Sequence, residues 1–345
     1  MSEVSEQPFR PQLSDLAARA GVSLATVDRV INRRKGVKER TRRHVLSVAR
    51  DIGLLSAEDL AAFDATRPPN IVFLLPSGSN PYLRLLGEMV RARVAQNSEG
   101  APELRCFFIE GFDPAALADA LRRNARWADG IAFFGLDHPD VREAVSDVAR
   151  AGTQLVSIVS DLGHPGVSAY VGMENRGVGR SAGYLLGRFV THKTGAVALV
   201  AGSRHYRAHS EREAGFLSIQ EELFPHLRVV GMREGHDDSG QNYRHTVELL
   251  EQHPDLVGIY NVGGSSGGIA RALSEHERHD IVFIGHGLTP DTRRALLQGT
   301  LDVVFNTDPA ALIDRAIAAI RSPEAAVPPI KLDIVLRENL PPSEG

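Results

Sequence analysis

The sequence predicts two unlike parts, a small all-helical head at the N-terminus and an α/β core of two doubly wound parallel-sheet lobes. In the first 55 residues, apolar side chains recur at helical spacing. From residue 70 onward, short apolar runs alternate with segments of helical length. The chain has 345 residues, 43% of them hydrophobic and 24% charged. This composition is typical of globular proteins and excludes a mainly disordered, collagen-like or coiled-coil chain.

Several functional classes are excluded by composition. The longest apolar runs, 71–76 and 130–135, are far shorter than the ~20 residues of a membrane span. The polar first 12 residues lack the apolar core of a signal peptide, so we expect a cytoplasmic protein. A single cysteine, Cys106, excludes internal disulfides and cysteine-based zinc sites, and its apolar surroundings predict a small core residue.

No cofactor or metal ion is expected. The candidate ligands His205, His209 and His236 fall on predicted loops without the close spacing of a metal site. We therefore expect them to be surface histidines.

The head is strongly basic. Residues 1–67 contain 12 Lys/Arg and 9 Asp/Glu, and the segment 29–50 has nine basic residues against one acid, Glu39. Such a cluster is typical of a polyanion-binding surface, although a solvated helix face would have the same charge.

The helix pattern favours nucleic acid. Leu13, Leu16, Ala17 and Ala20 share one helical face, and Gly21 ends that helix. Ser23 is a natural N-cap for a second helix over 24–32, and a third is predicted over 38–52. Two short helices joined by a tight glycine turn form a helix-turn-helix, whose second helix enters the major groove of DNA. We expect this domain to cover 1–55.

Residues 13–32, LSDLAARAGVSLATVDRVIN, resemble the lactose-repressor (LacI/GalR) family of bacterial transcription regulators. The resemblance rests on the core Ala-Gly-Val-Ser-x-x-Thr-Val-x-Arg-Val-x-Asn. It implies a sequence-specific regulator, more often a repressor, that binds a near-palindromic operator as a homodimer. Its half-sites would lie about one DNA turn, ~34 Å, apart.

The same resemblance implies DNA contacts for part of the head. Leu24 and Ala25 stand at the base-reading positions, and Arg29 matches an arginine that reaches bases or phosphates. The residues expected to contact phosphate are Ser23, Thr26, Arg33, Arg34 and Lys35. Asp28 departs from the family, which usually has serine there. Its carboxylate either pairs with Arg29 or accepts from a cytosine amino group.

The linker, 56–69, also departs from the family. The usual Pro-Asn pair is absent and acidic residues replace basic ones, although Ser56 and Asp59 have the spacing of a helix cap. Leu60 or Phe63 would act as the apolar wedge that enters the minor groove. The alternative is that both pack against protein.

The segment 70–340 resembles the type I periplasmic-binding-protein fold, whose two lobes enclose a ligand. The predicted strands are 71–75, 104–109, 130–134, 154–158, 170–171, 197–201, 228–232, 256–260, 281–284 and 303–306. The predicted helices are 82–96, 114–124, 141–151, 175–189, 211–222, 241–252, 266–276, 290–298 and 309–320. Ligands of such sheets lie beyond the carboxyl ends of the strands.

Polar residues after these strands are the candidate effector contacts. Arg212 matches the arginine of the family signature Ser-x-Arg-x-x-Gly-Phe, and His286 stands where the family usually has aspartate. The full set is Tyr82, Asp137, Arg212, Asn261, His286, Asn306 and Asp308. This inventory fits a sugar or polyol, and histidine in place of aspartate also admits a sugar acid. A histidine with an ordinary pKa of ~6.5 would make binding pH-sensitive.

Two other functions fit parts of the sequence. Residues 264–268 match G-x-S-x-G, so Ser266 would be the nucleophile of a serine hydrolase. A freestanding solute-binding protein would share the core but not the head. We expect a regulator and not an enzyme.

Overall fold

A computed structural model describes residues 11–32, 34, 36–37, 39–56, 59–60, 68–95, 101–190 and 194–342. The chain divides into two compact units, Met1–Pro68 and Pro69–Gly345. The division falls within the Pro68-Pro69 pair. Within the described part of the chain, no helix has the length and apolar content needed to span a bilayer.

The described part of the first unit contains the helices α1 (Leu13–Ala20), α2 (Leu24–Ile31) and α3 (Glu39–Asp51). Gly21 adopts a left-handed conformation with φ of 64°, which the turn between α1 and α2 requires. Ser23 caps α2, because its Oγ accepts a hydrogen bond from the Thr26 amide at 3.2 Å. The helices share a core of fully buried side chains, Leu16, Val27, Val30, Val45 and Ala49.

The linker begins with the expected cap. The Asp59 carboxylate accepts hydrogen bonds from the Ser56 amide at 2.9 Å and the Ser56 hydroxyl at 2.7 Å. These bonds lower the pKa of the Asp59 carboxyl. Leu60 is half-buried. Phe63 lies outside the described residues, so the choice of wedge stays a prediction.

The first lobe is built on a five-stranded parallel sheet in the order β2-β1-β3-β4-β5. Its strands are β1 (Asn70–Pro76), β2 (Glu103–Ile109), β3 (Gly130–Phe133), β4 (Gln154–Ile158) and β5 (Ala169–Val171). The helices between them are α4 (Pro81–Ala95), α5 (Pro114–Asn124) and α6 (Pro139–Arg150). Cys106 is half-buried on edge strand β2, and burial raises its pKa to about 11.

The second lobe has a six-stranded sheet in the order β11-β10-β9-β8-β6-β7. Its strands are β6 (Gly195–Ala201), β7 (Leu227–Glu234), β8 (Leu256–Asn261), β9 (Val282–His286), β10 (Val303–Asn306) and β11 (Asp333–Val335). Its helices are α7 (Asn175–Phe189), α8 (Arg207–Leu223), α9 (Ser239–Gln252), α10 (Gly267–Glu275) and α11 (Pro290–Gln298). Strand β11 pairs antiparallel to β10.

Three crossings connect the lobes. After β5 the chain enters the second lobe with α7, whose Val178 and Leu186 lie in that lobe's core. After β10 it returns with α12 (Pro309–Arg321), which packs against β3 and β4 and whose Leu312 and Ile313 belong to a core cluster of the first lobe. It then crosses again to β11.

Helices α7 and α8 touch through glycines. A methyl group on Gly179 would lie 2.0 Å from the Arg212 carbonyl oxygen, and one on Gly215 would lie 2.0 Å from the Arg176 carbonyl oxygen. Because both obstacles are backbone atoms, only glycine permits this approach. The contact fixes the segment of α8 that bears Arg212. Helix α8 begins at residue 207, whereas the sequence predicted 211, and the earlier start places His209 in its first turn.

We expect Gly179→Ala to lower the free energy of unfolding of the second unit by about 1–3 kcal/mol, because the added methyl group forces α7 and α8 apart. Chemical denaturation monitored by circular dichroism measures this loss. Gly240→Ala is the control, since a methyl group there meets its nearest neighbour, Asp238 Oδ1, at 3.2 Å and gains helix propensity. Equal stability of the two variants would contradict the role of the glycine contact.

Candidate effector cavity and DNA-binding surface

A cavity lies between the two lobes at the carboxyl ends of their strands, and we call it the interlobe cavity. Polar and apolar side chains both line it. The polar lining residues are Asn80, Tyr82, His209, Arg212, Asp237, His286 and Thr307. The apolar ones are Leu83, Phe134, Val159, Met173 and Phe305. Mixed walls of this kind are typical of small-molecule sites.

Asp237 connects the lobes at the edge of this cavity. One carboxylate oxygen accepts from the Asn80 side-chain amide of the first lobe at 2.9 Å. The other accepts from the Gly264 backbone amide of the second lobe at 2.8 Å. Asp237 and the preceding His236 both have positive φ, 52° and 51°, which is uncommon for residues other than glycine. The loop therefore stores backbone strain where it contacts the other lobe.

Arg212 is a buried cation on the cavity wall, only 4% exposed. Its Nε donates to Asn175 Oδ1 at 2.9 Å, and its Nη1 donates to the Val262 carbonyl oxygen at 2.8 Å. Both acceptors are neutral. These bonds connect α8 with the start of α7 and the end of β8.

His286 lines the cavity beside a buried tyrosine. Its Nε2 and the Tyr260 hydroxyl form a hydrogen bond of 2.8 Å, while its Nδ1 is buried and has no partner among the described residues. Burial, with the nearby Arg212 charge, lowers the pKa of His286 well below its usual value. The expectation of a histidine that titrates near 6.5 is therefore wrong.

His209 is not the surface histidine that the sequence predicted. It is 5% exposed, it lines the cavity, and its Nδ1 lies 2.9 Å from the Ser203 carbonyl oxygen. Burial lowers its pKa to about 4, while the Asp237 carboxylate acts in the opposite direction. Both histidines of the cavity are therefore neutral at physiological pH.

Three of the seven predicted effector contacts, Tyr82, Arg212 and His286, line the cavity. The Tyr82 hydroxyl bonds Thr307 Oγ1 at 2.8 Å. The other four predicted residues have structural partners instead.

Among those four, Asp137 forms an ion pair with Arg142 at 2.7 Å. Asn261 is fully buried and donates to the Gly264 carbonyl oxygen and Ser266 Oγ. Asn306 accepts from the Leu288 amide, and Asp308 caps α12 through the Ala310 amide.

Sequence reasoning missed Asp237, His209 and Thr307 as lining residues. The His-Asp-Asp run at 236–238 follows β7, where polar residues are candidate contacts, yet the sequence predicted no contact there. His209 and Arg212 lie three positions apart on one face of α8, and this helical spacing was the signal in the sequence that could have found His209.

The exposed face of α2 carries the residues expected to contact DNA. Ser23, Leu24, Ala25 and Arg29 are exposed, with Leu24 at 54%, and Thr26 is half-buried. Arg33 and Lys35 lie outside the described residues.

The structure gives Asp28 a partner that neither sequence alternative named. Its carboxylate accepts from the Arg34 guanidinium at 3.0 Å and from the Asn32 side-chain amide at 2.6 Å. The pair neutralises one of the cations expected to contact phosphate.

Ser266 lacks the surroundings of a nucleophile. It is 2% exposed, and its Oγ accepts from the Asn261 amide at 2.8 Å. Among the described residues, no histidine bonds this hydroxyl, and His286 is engaged with Tyr260.

We expect the free energy of unfolding of the second unit to fall between pH 6.5 and 4. Below 6.5 the unfolded chain takes up a proton at His209, which the folded chain resists until about pH 4. This difference corresponds to on the order of 3 kcal/mol. Denaturant titrations at several pH values measure it, and His209→Gln removes this part of the slope. An unchanged slope in that variant would contradict the burial effect.

Two families match the chain. Residues 12–54 match "Bacterial regulatory proteins, lacI family", and residues 71–322 match "Periplasmic binding protein domain". The second match covers well over half of the chain.

Individual proteins agree with both matches. The transcriptional regulator DegA of Bacillus subtilis is 26% identical over 218 residues, which cover 62% of each chain. This match therefore spans less than two thirds of DegA. The transcriptional repressor PurR of Erwinia tasmaniensis is 22% identical over 257 residues, 72% of this chain and 71% of PurR.

Among solved structures, the fold is similar to GanP, a glucose-galactose binding protein from Geobacillus stearothermophilus. The TM-score is 0.71 at 22% sequence identity, and the match covers 80% of this chain and 99% of GanP. Together with the two family matches, this similarity confirms the fold of head and core that the sequence predicted. The chain therefore belongs to the periplasmic binding protein domain family through residues 71–322, and its residues 12–54 form a helix-turn-helix head of the lacI family of bacterial regulatory proteins.

Proposed function

We propose that the protein is a homodimeric transcription repressor that binds a near-palindromic operator and responds to a small carbohydrate-like effector. The observation that carries the proposal is the joining, in one chain, of a helix-turn-helix head to a two-lobed core with an interlobe cavity. The relatives support it, since DegA and PurR are named as transcriptional regulators and GanP as a sugar-binding protein.

The DNA contact follows from the two faces of α2. Val27 and Val30 are fully buried in the head, which leaves Leu24, Ala25 and Arg29 on the opposite, exposed face. Leu24 and Ala25 offer only apolar contacts, such as to a thymine methyl group, so Arg29 supplies most of the hydrogen-bonded base readout.

Effector control follows from the direct bonds between the lobes. Asn80 and Ser79 of the first lobe bond the side chain and the backbone carbonyl of Asp237 in the second. A ligand in the cavity contacts both Asn80 and Asp237, which line it. It therefore has different affinities for closed and open arrangements, which is the thermodynamic basis of allosteric control.

Neither alternative function gains support. Hydrolysis would need a base beside Ser266, and that hydroxyl bonds only Asn261 among the described residues. A freestanding solute-binding protein does not bind DNA, so this function does not account for the helix-turn-helix head. We therefore propose a regulator without enzymatic activity.

The direct test is fluorescence anisotropy of labelled DNA from the region upstream of the protein's own gene, titrated with salt and then with sugars, polyols and sugar acids. We expect selective, salt-dependent binding that one class of compound alters. Equal binding to random DNA would exclude the operator proposal.

We expect Arg29→Ala to reduce operator affinity by roughly 10–100-fold, because one good side-chain contact to a base contributes ~1–3 kcal/mol. Affinity for random DNA should change much less, and effector binding should not change. Arg123→Ala is the control, since Arg123 is an exposed arginine in the other unit. Retained selectivity in Arg29→Ala would exclude its role in base readout.

We expect Asp28→Asn to strengthen binding to random DNA and to steepen its salt dependence by about one ion, because Arg34 becomes free for phosphate. Anisotropy at several salt concentrations measures the slope. Asp28→Asn combined with Arg34→Ala should return the slope to its original value. If Asp28→Asn instead lowers operator selectivity alone, the carboxylate reads a base.

A further inference from the structure

The interlobe cavity has hydrogen-bond donors that the protein does not use. Arg212 carries five N–H groups, and the structure provides acceptors for Nε and Nη1 but none for Nη2 among the described residues. The guanidinium lines the cavity, and no carboxylate of the described residues forms an ion pair with it. A buried cation with neutral partners and free donors favours an anionic ligand group.

His286 adds a second donor. The Tyr260 hydroxyl is fully buried, and its only hydrogen-bond partner among the described residues is His286 Nε2, at 2.8 Å. An unused hydroxyl proton is costly in a buried site, so the hydroxyl donates and Nε2 accepts. The ring proton of the neutral histidine then lies on Nδ1, the buried atom without a partner.

The carboxylate of the cavity lies in a different environment. Both oxygens of Asp237 already accept bonds, from Asn80 and from the Gly264 amide. Neither Arg212 nor His286 shares these partners, since Arg212 bonds Asn175 and Val262 and His286 bonds Tyr260. The donor-rich end at Arg212 and His286 is thus distinct from the acceptor end at Asp237.

We propose that the effector is an acidic carbohydrate whose carboxylate binds at Arg212 and His286 while its hydroxyl groups face Asp237 and Asn80. The inference rests on the proposed function, since it specifies the ligand of the same cavity. A carboxylate matches the planar guanidinium with two parallel hydrogen bonds. Arg212 is the one cationic side chain among the described lining residues and Asp237 already contributes one negative charge, so a monoanionic carboxylate meets less repulsion than a phosphate dianion.

The experiment is calorimetric titration of the full-length protein with matched pairs of six-carbon compounds. The pairs are gluconate and glucitol, galacturonate and galactose, and glucuronate and glucose, with glucose 6-phosphate as the phosphate arm. We expect at least one acid to bind roughly 10-fold or more tightly than its neutral partner, as a hydrogen bond to a charged group predicts. Tightest binding of the phosphate would overturn the choice of carboxylate.

Two variants test the residues. Arg212→Gln should remove the preference for the acid, and His286→Asp should weaken acid binding by roughly 100-fold by placing a carboxylate against a carboxylate. His226→Asp introduces the same charge on an exposed turn just before β7. This turn lies at the amino end of the strand, away from the cavity at the carboxyl ends, so acid binding should not change. An equal effect of both aspartates would overturn the proposal.

Nitrogen-15 NMR of the histidine rings tests the donor without any ligand or variant. We expect the Nδ1–H tautomer for His286, and the Nε2–H tautomer would overturn the assignment. If neutral sugars bind as well as the acids do, the carboxylate inference fails and the carbohydrate effector stands. If no compound of the panel binds while operator binding persists, the carboxylate inference and the carbohydrate effector both fail. The DNA-binding function then remains.

Discussion

The buried guanidinium of Arg212 is the interaction on which the geometry of the core depends. A charge with 4% exposure must be hydrogen-bonded, and its partners come from the start of α7 and the end of β8. The same residue contributes the carbonyl oxygen against which Gly179 packs. One residue therefore holds three elements in register and still presents donors to the cavity.

The burial of both cavity histidines makes ligand binding independent of their protonation near neutral pH. Burial lowers the pKa of His209 to about 4 and that of His286 well below its usual value, so neither ring gains charge at physiological pH. The described lining of the cavity consequently has one cation, Arg212, one carboxylate, Asp237, and two neutral histidine rings. Its selectivity depends on hydrogen-bond direction and on the position of fixed charges, and it does not follow changes in pH near neutrality.

The bridge at Asp237 gives the cavity its mechanical role. Asn80 of one lobe and the Gly264 amide of the other share one carboxylate, within a loop of two consecutive positive-φ residues. Strained backbone persists only where surrounding contacts stabilise it. A ligand that changes those contacts changes the balance between lobe arrangements, which is the step that an allosteric regulator requires.

The sequence by itself determined the helix-turn-helix head and nearly every strand and helix of the core, because these depend on local apolar periodicity, glycine turns and N-caps such as Ser23. It also identified Arg212 through a signature. It placed Asp137 and Asp308 at the site because both follow strands, yet one pairs with Arg142 and the other caps α12. Only the tertiary structure decided which strand ends face the cavity, since the three crossings and the burial of His209 depend on contacts between residues far apart in the chain.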